Sequence, residues 1–383
     1  MEKSVPFLRI DNDGRTLFLH VEIIIIKNWK AAQIFCTFVF GFCLAYIWIE
    51  RRGLMFEWVE QQYGRKVERT EKLGKYNVVL CQQEKFLLVP VHHRTEKEMS
   101  ELNQMAAYLV ARGDLSVATI VPTTKGNLVA VHNGQHVALF RIPAQLYART
   151  APFGKELAKF HALGRYVPSN IVYCNRIGQW KQLWGKRLDQ MELFWKEKWK
   201  QREDEFTDWF VESFPYYAGL AENAIQYIAD TELDEHPYTI DAGTVCHERL
   251  PQALWAGGKE VKLPLDWVYD HCARDLAEWV RALYMQGEIE QLHLFFRDYE
   301  RITPLSAFSF RLLYARLLFP IPYFEYVEGY YLAESEQEKK RYAQMLRSLI
   351  DRSQAYEVFL ASFYEQLDLP KRFSLPVVRW LKK

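Results

Sequence analysis

Three positions near the middle of the chain have the spacing of a phosphoryl-transfer loop but not its side chains. Such a loop carries an Asp two residues after a His, which takes the proton of the attacking hydroxyl, and an Asn five residues further on, which holds a metal ion. Here the His is His247, the Asp position holds Arg249 and the Asn position holds Leu254. A guanidinium only donates hydrogen bonds and stays charged, so Arg249 cannot act as the base.

Asp266 is the carboxylate of such a site that remains. It stands in Leu265-Asp266-Trp267, at the end of an apolar run, where it could hold Mg²⁺. Alternatively it is a structural carboxylate neutralised by Arg249 or Lys262, which is the interpretation we favour. We expect His247 to brace the loop, and Asp275 to cap a helix or to bind the loop backbone.

The cation that should contact the nucleotide phosphates is also missing. Its place is near the end of the third strand of a kinase-type sheet, which corresponds to Val89 or Pro90, whereas Lys85 begins that strand and should point to solvent. Glu101, or Glu98, would be the helix carboxylate that pairs with such a cation. Without the cation, a surface glutamate is the better interpretation.

The phosphate loop is reduced to one glycine, Gly74, in Gly74-Lys75-Tyr76-Asn77. One glycine cannot wrap phosphates with backbone N–H groups as a glycine-rich loop does. Three of the four main parts are therefore absent together, and the sequence predicts no intact catalytic residue and no cofactor. Gly74 and Glu101 are vestigial candidates for cofactor binding, and Asp266 is a vestigial candidate for metal binding.

The elements around these residues form two groups. Alternating runs and Asn133-Gly134, a strong hairpin signal, predict the order β-β-β-α-β-β-β over residues 67–142, with the helix at 96–111. From residue 143 the pattern is mostly helical, with a short β-like section over 244–266 and a break at Pro320-Ile321-Pro322. We predict an α+β fold with a small antiparallel lobe plus one helix at 55–143 and a larger, mostly helical lobe at 144–383.

This order resembles the bilobal protein-kinase-like fold, and its details resemble the aminoglycoside phosphotransferase and choline kinase branch. The helix Gly154 to His161 is similar to that branch's Leu-Ala-x-x-His helix, and Leu265-Asp266-Trp267 is similar to its metal-binding segment. Arg274-Asp275-Leu276-Ala277 is similar to its next helix start. The resemblance covers residues 55 to about 370.

Within that branch the chain resembles the spore-coat-associated kinase-like proteins of the CotS type. Three segments carry this resemblance, and they are residues 56–77, residues 216–225 and residues 245–249. It implies synthesis in the cytoplasm of the mother cell, deposition on the endospore coat, and other coat proteins as partners.

Composition excludes some other functions. Lys and Arg total 49 against 48 acidic residues, so we expect no attraction to nucleic acid. The six cysteines form no Cys-x-x-Cys pair, which argues against a zinc site of that kind and against a secreted disulfide scaffold.

Residues 1–54 form a separate hydrophobic extension. Residues 31–49 carry no charge and are flanked by basic residues, which is typical of a single membrane-spanning helix. Alternatively, translation starts at Met55, since Arg51-Arg52-Gly53 can be encoded by a ribosome-binding sequence; we favour this. A membrane is an expected partner only if residues 1–54 are genuine.

Three functions follow from these observations. The favoured one is a non-catalytic kinase-fold protein, a pseudokinase, that serves as a component or assembly factor of the endospore coat. The second is a small-molecule phosphotransferase with residual activity that depends on ATP and Mg²⁺. The third is a membrane-anchored ligand-binding module.

Overall fold

A computed structural model describes residues 5–10, 16–21, 55–91, 94–143, 151–168, 170–258 and 261–382. The chain divides into two compact units, Met1–Val67 and Glu68–Lys383. The first contains an antiparallel strand pair, β1 (Val5–Ile10) and β2 (Thr16–Val21), and a helix α1 over residues 55–63. The uncharged run at 31–49 lies outside the described residues. Across the ranges that are described, no helix has both the length and the apolar character needed to cross a bilayer.

The second unit begins with an antiparallel sheet. Its strands are β3 (Arg69–Leu73), β4 (Tyr76–Cys81), β5 (Glu84–Pro90), β6 (Thr119–Val121), β7 (Ala130–His132) and β8 (Gln135–Ile142). They lie in the order β3-β4-β5-β8-β6, with β7 also paired to β8. Asn133 and Gly134 join β7 to β8 with positive φ angles of 49° and 77°, as a tight hairpin turn requires.

One helix, α2 (Glu96–Ala111), packs against this sheet. Thr95 and Glu98 form a capping box at its start, which satisfies N–H groups that the first turn leaves free. Its buried face carries Met99, Leu102 and Met105, at the three- and four-residue spacing of one helix side. The small lobe is therefore a sheet and one helix around a shared apolar core.

The rest of the second unit is mostly helical. Its helices are α3 (Phe153–Gly164), α4 (Trp180–Lys200), α5 (Glu205–Asp234), α6 (Ala273–Gln286), α7 (Leu292–Glu300), α8 (Ala307–Leu318), α9 (Ile321–Leu332), α10 (Glu336–Asp351) and α11 (Ser353–Gln366). Two short strands, β9 (Thr244–His247) and β10 (Trp267–Asp270), pair antiparallel between α5 and α6.

The predicted α+β fold class and the β-β-β-α-β-β-β order are confirmed. The β-like section at 244–266 is corrected, because its second strand begins after Asp266 rather than ending there. Pro264 opens a 3₁₀ turn over Pro264–Asp266, and this turn delays the extended backbone until Trp267. The boundary near residue 143 falls inside the second unit and stays a prediction.

Candidate functional site

Two short strands bring the candidate catalytic loop next to Asp266. β9 ends at His247, and its Cα partner is Trp267, the first residue of β10. Just beyond this pair, the Glu248 N–H donates to the Asp266 carbonyl oxygen at 2.7 Å. The pairing therefore places the loop that begins at His247 beside Asp266, the carboxylate at the expected metal-binding position. Phosphoryl transfer requires these two segments to lie side by side.

A buried carboxylate on α6 holds the start of this loop. Asp275 Oδ1 accepts a hydrogen bond from the His247 N–H at 2.9 Å, and Asp275 Oδ2 lies 2.7 Å from His247 Nδ1 and 3.2 Å from His161 Nε2. Burial acts to raise the pKa of Asp275, but His247 and His161 hold it well below its usual range. Asp275 therefore binds the loop backbone. It is not the N-cap of α6, because that position is Cys272, whose side chain forms no capping hydrogen bond.

His161, Cys246 and Asp275 form a buried cluster whose potential ligand atoms lie within 4.8 Å of one another. Each of them already has a hydrogen-bond partner. His161 Nδ1 lies 2.7 Å from the Tyr299 hydroxyl, and the Cys246 thiol donates to the His271 carbonyl oxygen at 3.5 Å. Burial lowers the pKa of His161 and raises that of Cys246. We interpret the cluster as a hydrogen-bond network that supports the loop. It could not be predicted from the sequence, because its members lie on three separate elements, α3, β9 and α6.

Arg249 does not neutralise Asp266, and this expectation is corrected. Its guanidinium forms an ion pair with Glu325 on α9. Lys262 is not the counter-ion either, because its Nζ lies 2.6 Å from Asp114 Oδ2 and 4.4 Å from the centre of the Trp255 ring. The sequence does not predict either ion pair, because Glu325 is remote from Arg249 in the chain and Asp114 is remote from Lys262.

The cation that does reach the Asp266 segment is Arg94, which sequence reasoning missed. Its Nη2 donates to the carbonyl oxygens of Leu265 at 3.2 Å and Trp267 at 3.0 Å, on either side of Asp266. Its side chain is only 6% exposed and also pairs with Glu98 and Glu248. Because Arg94 lies after β5 rather than within it, a search along the third strand for the phosphate-binding cation does not find it.

Asp266 itself is half-buried. Burial raises its pKa, while His247, Lys75 and Arg94 act in the opposite direction. The carboxylate thus lies in a partly desolvated position among several charged groups, Glu248 included, and this differs from the simple ion pair that the sequence suggested.

The single-glycine turn lies close to Leu254, which stands at the loop position where a phosphotransferase is expected to carry its metal-binding Asn. Gly74 has φ of +58° and, with Lys75, joins β3 to β4. A Cβ added at Gly74 would lie 3.0 Å from Leu254 Cδ2. In a phosphotransferase, the nucleotide phosphates and metal occupy the space between the phosphate loop and the catalytic loop. Here Gly74 and Leu254 meet across that space.

The remaining candidates lie away from this contact. Val89 is 1% exposed and belongs to the apolar core, so no charge could stand there at low cost. Lys85 has a partly exposed side chain, and its Nζ lies 3.4 Å from Oε2 of the partly exposed Glu71 on the sheet.

Glu101 is not a surface glutamate, and that expectation is corrected. It is 7% exposed, and its carboxylate accepts the N–H groups of Val172, Tyr173 and Cys174 at 2.8, 3.0 and 2.7 Å. A carboxylate that gathers three backbone donors fixes the segment after α3 to the small lobe. In this structure the Glu101 carboxylate accepts hydrogen bonds from backbone N–H groups. Its hydrogen-bond partners among the described residues include no cation from a strand of the sheet.

Comparison with known protein sequences gives two matches over most of the chain. Residues 56–363 match the protein-family model described as "Spore coat putative kinase YutH". The chain is also 41% identical over 331 residues to the endospore coat-associated protein YutH of Bacillus subtilis strain 168, covering 85% of this chain and 97% of that protein.

Solved structures show the same fold at low sequence identity. An aminoglycoside phosphotransferase from Alicyclobacillus acidocaldarius superposes with a TM-score of 0.57 at 14% identity, covering 80% of this chain and 94% of that one. A spectinomycin phosphotransferase solved with ADP and spectinomycin gives a TM-score of 0.52 at 13% identity, covering 82% and 98%. These likenesses establish the aminoglycoside phosphotransferase-type fold and carry no argument about activity.

Proposed function

Because the chain belongs to the spore coat YutH family, we propose that it is a pseudokinase that acts by binding, as a component or assembly factor of the endospore coat. The coat assignment rests on the Bacillus subtilis relative, which is an endospore coat-associated protein. In this role the kinase-type cleft contributes to the packing of the protein, and it needs neither nucleotide nor metal.

The observation that carries the proposal is the contact between Gly74 and Leu254. A side chain as small as alanine at Gly74 would already crowd Leu254 Cδ2 at 3.0 Å. A triphosphate with its metal is several ångströms across and needs that space. For a nucleotide to bind in the usual pose, the turn between β3 and β4 would have to move away from the loop.

The loss of catalytic groups supports the same conclusion. Arg249 stands at the position of the base and is held by Glu325, so its charge is directed away from a transferring group. Val89 stands where the phosphate cation is expected and is buried in the core. Removing a general base costs on the order of 10²–10⁴ in rate, and the other losses add to that.

A titration with ATP and Mg²⁺ tests the catalytic part of the proposal. We expect the full chain to show no saturable shift in Tm up to millimolar nucleotide. A functional site held at one hundred times its Kd would add about 2.7 kcal/mol to the free energy of unfolding, which is roughly 3 °C for a chain of this size. Asp266→Asn is the matched control. A metal-dependent shift that this variant abolishes would refute the proposal.

One observation favours a second function, nucleotide binding with residual transfer. Lys75 and Arg94 both act on the charge of Asp266, so two cations lie near the place that phosphates would occupy. If the β3–β4 turn opens, they could replace the missing strand cation. Under this alternative, the ATP shift would appear and would fall in Arg94→Met while the fold is retained.

Localisation tests the coat assignment separately. A fluorescent fusion of the chain, expressed from its own promoter, should form a ring around the forespore during sporulation. The same fusion carrying Asp266→Asn should give the same ring, because the proposed role does not use metal binding. Fluorescence that stays diffuse in the mother cell through late sporulation would contradict a coat role, whatever the result with ATP.

A further inference from the structure

A cavity lies in the helical lobe, at the end of β10 that is remote from Asp266. Its volume is about 190 Å³. An apolar cavity of about 150 Å³ is large enough to hold benzene, so this one has room for a single ring with a short chain. β10 runs from Trp267 to Asp270, and at the rise of an extended strand its two ends are about 10 Å apart. The cavity is therefore distinct from the kinase-type cleft.

The walls of this cavity are apolar and come from several elements. The residues that supply them are Ile177, Trp180, Ile228, Pro237, Phe308 and Leu312. Trp180 and Phe308 contribute aromatic surface, which suits both an apolar ring and a cation. Lys181 and Glu232 also line the cavity, and they form a partly exposed ion pair at 2.5 Å.

Two buried carboxylates, Asp241 and Asp270, also line the cavity. Asp270 is 1% exposed and its Oδ2 accepts from Trp180 Nε1 at 2.7 Å and Arg274 Nε at 2.6 Å. Its Oδ1 accepts from the His271 N–H at 2.8 Å. A carboxylate has about four acceptor positions, so Oδ1 can accept one more hydrogen bond.

Asp241 is also buried, and its direct donors are neutral. Oδ1 accepts from the hydroxyls of Ser306 at 2.6 Å and Ser309 at 2.5 Å, and Oδ2 accepts from the Tyr238 N–H at 2.8 Å. Burial opposes ionisation, but hydrogen bonds from His271, Ser306 and Ser309 lower the pKa of Asp241 to about 2. Asp241 is therefore ionised at neutral pH, and its Oδ2 has an acceptor position left.

His271 is the group that could balance the charge of Asp241. Its Nε2 lies 3.6 Å from Asp241 Oδ1. Burial lowers the pKa of His271, whereas Cys272 and Asp241 raise it, to about 9. However, His271 Nδ1 accepts the Ala273 N–H at 3.1 Å, and only the neutral ring has a lone pair there. A protonated Nδ1 would face this donor, so the hydrogen bond from Ala273 requires a neutral His271 ring.

With His271 neutral, none of the groups that bond Asp241 carries a positive charge, whereas Asp270 pairs with Arg274 and lies near the buried Arg316. A buried charge without a counter-ion is costly, and a bound cation would remove that cost. We propose that this cavity binds a small organic ammonium ion whose apolar body is about one ring in size. The ammonium group donates to Asp241 Oδ2 and Asp270 Oδ1, and the ring packs between Trp180 and Phe308.

Calorimetric titration of the full chain with three matched probes tests the inference. The probes are 2-phenylethylammonium, neutral 2-phenylethanol and anionic 3-phenylpropanoate. Charge-assisted hydrogen bonds are about twice as strong as neutral ones, so the ammonium probe should bind roughly tenfold or more tighter than the alcohol. The carboxylate should not bind measurably. Equal affinity for the amine and the alcohol, or no saturable binding of the amine, would overturn the proposal.

A pair of variants locates the binding. Ile228→Trp fills the cavity from α5 and should abolish binding of the amine. Ile225→Trp makes the same change one turn earlier on α5, outside the lining, and should leave the affinity unchanged. If Ile228→Trp fails to fold, Ile177→Trp enters the cavity from the half-buried turn before α4 and serves the same purpose. Binding that survives in every folded cavity-filling variant would place the amine elsewhere.

This inference does not depend on the proposed function. The amine binds at the end of β10 remote from Asp266, so its affinity should be the same with and without ATP and Mg²⁺. The ATP titration could contradict the pseudokinase proposal while the amine still binds. Equally, the amine could fail to bind while the pseudokinase proposal is supported.

Discussion

At the scale of single residues, Arg249 does more than stand in the place of a base, because it also forms an ion pair with Glu325. The sequence predicts the loss of a base at this position, and that follows from the side chain. It does not predict the pairing with Glu325, because α9 begins some seventy residues later. The identity of a lost group can be read from a motif, whereas the partner of its replacement depends on tertiary packing.

Restoring the acid at this position should not restore activity. Arg249→Asp leaves Leu254 and Val89 unchanged, and it sets a new carboxylate beside Glu325. We expect no phosphoryl transfer, and a loss of stability of about 1 kcal/mol from the broken, partly exposed ion pair. A radiolabelled ATP transfer assay and a denaturant titration measure the two effects. Arg249→Gln is the control, since it removes the ion pair without adding an acid; turnover in Arg249→Asp alone would contradict the prediction.

Asp241 should give the acid limb of the stability curve a visible component. Its pKa is about 2 in the folded chain and about 3.9 in an unfolded one. Because the folded value is the lower one, its stabilising contribution is complete above about pH 4 and is lost as the pH falls towards 2. The contribution is on the order of 2 kcal/mol.

Urea titrations between pH 2 and 6 test this component. The wild type should lose more stability between pH 4 and 2 than Asp241→Asn does. Asp351→Asn, a change at an exposed position on α10, is the control and should follow the wild type. Parallel curves for the wild type and Asp241→Asn would show that Asp241 does not titrate as stated.

At the scale of elements, the sequence predicts what is periodic and misses what is long-range. The helix at 96–111 and the Asn133-Gly134 hairpin are found as predicted, because the spacing of Met99, Leu102 and Met105 and the positive φ at the turn are local requirements. The role of Glu101 was missed. On the helix it looks like another surface acid, and its three N–H donors lie more than seventy residues away.

Glu101→Gln should therefore loosen the segment after α3. An amide keeps one acceptor oxygen but turns an N–H₂ group towards at least one of the backbone donors. We expect a loss of about 1–3 kcal/mol and faster hydrogen exchange at Val172, Tyr173 and Cys174. Glu96→Gln, an exposed change in the first turn of the same helix, is the matched control and should leave those three amides unchanged. Slow exchange at all three in Glu101→Gln would rule out the anchoring role.

At the scale of the whole molecule, several side chains join the small lobe to the helical lobe within the second unit. Arg94 binds the carbonyl groups around Asp266, Glu101 holds the segment after α3, and Lys262 pairs with Asp114. Sequence patterns identify the two groups of elements but not these joints, since each joint links residues that are remote in the chain. The fold class could thus be predicted, while the manner in which the cleft is held could not.

Arg94→Met tests how much these joints contribute to stability. The variant keeps an unbranched apolar stem and removes the donors to Leu265 and Trp267. We expect Tm to fall by roughly 1–4 °C, from a loss of about 1–3 kcal/mol. Differential scanning calorimetry gives the measurement, and Arg176→Met is the control because Arg176 bonds mainly to carbonyls in its own turn. An unchanged Tm in Arg94→Met would mean that Arg94 does not couple the lobes.

The contact between Gly74 and Leu254 also has an evolutionary consequence. Because the two positions lie against each other, each residue makes a change in the other harder to accept. A polar group introduced at position 254 would meet the glycine turn, and a larger side chain at position 74 would meet the leucine. If the protein is a pseudokinase, as proposed, such epistasis would make single substitutions towards a catalytic loop pass through poorly packed intermediates, while the surface of the protein stays free to vary.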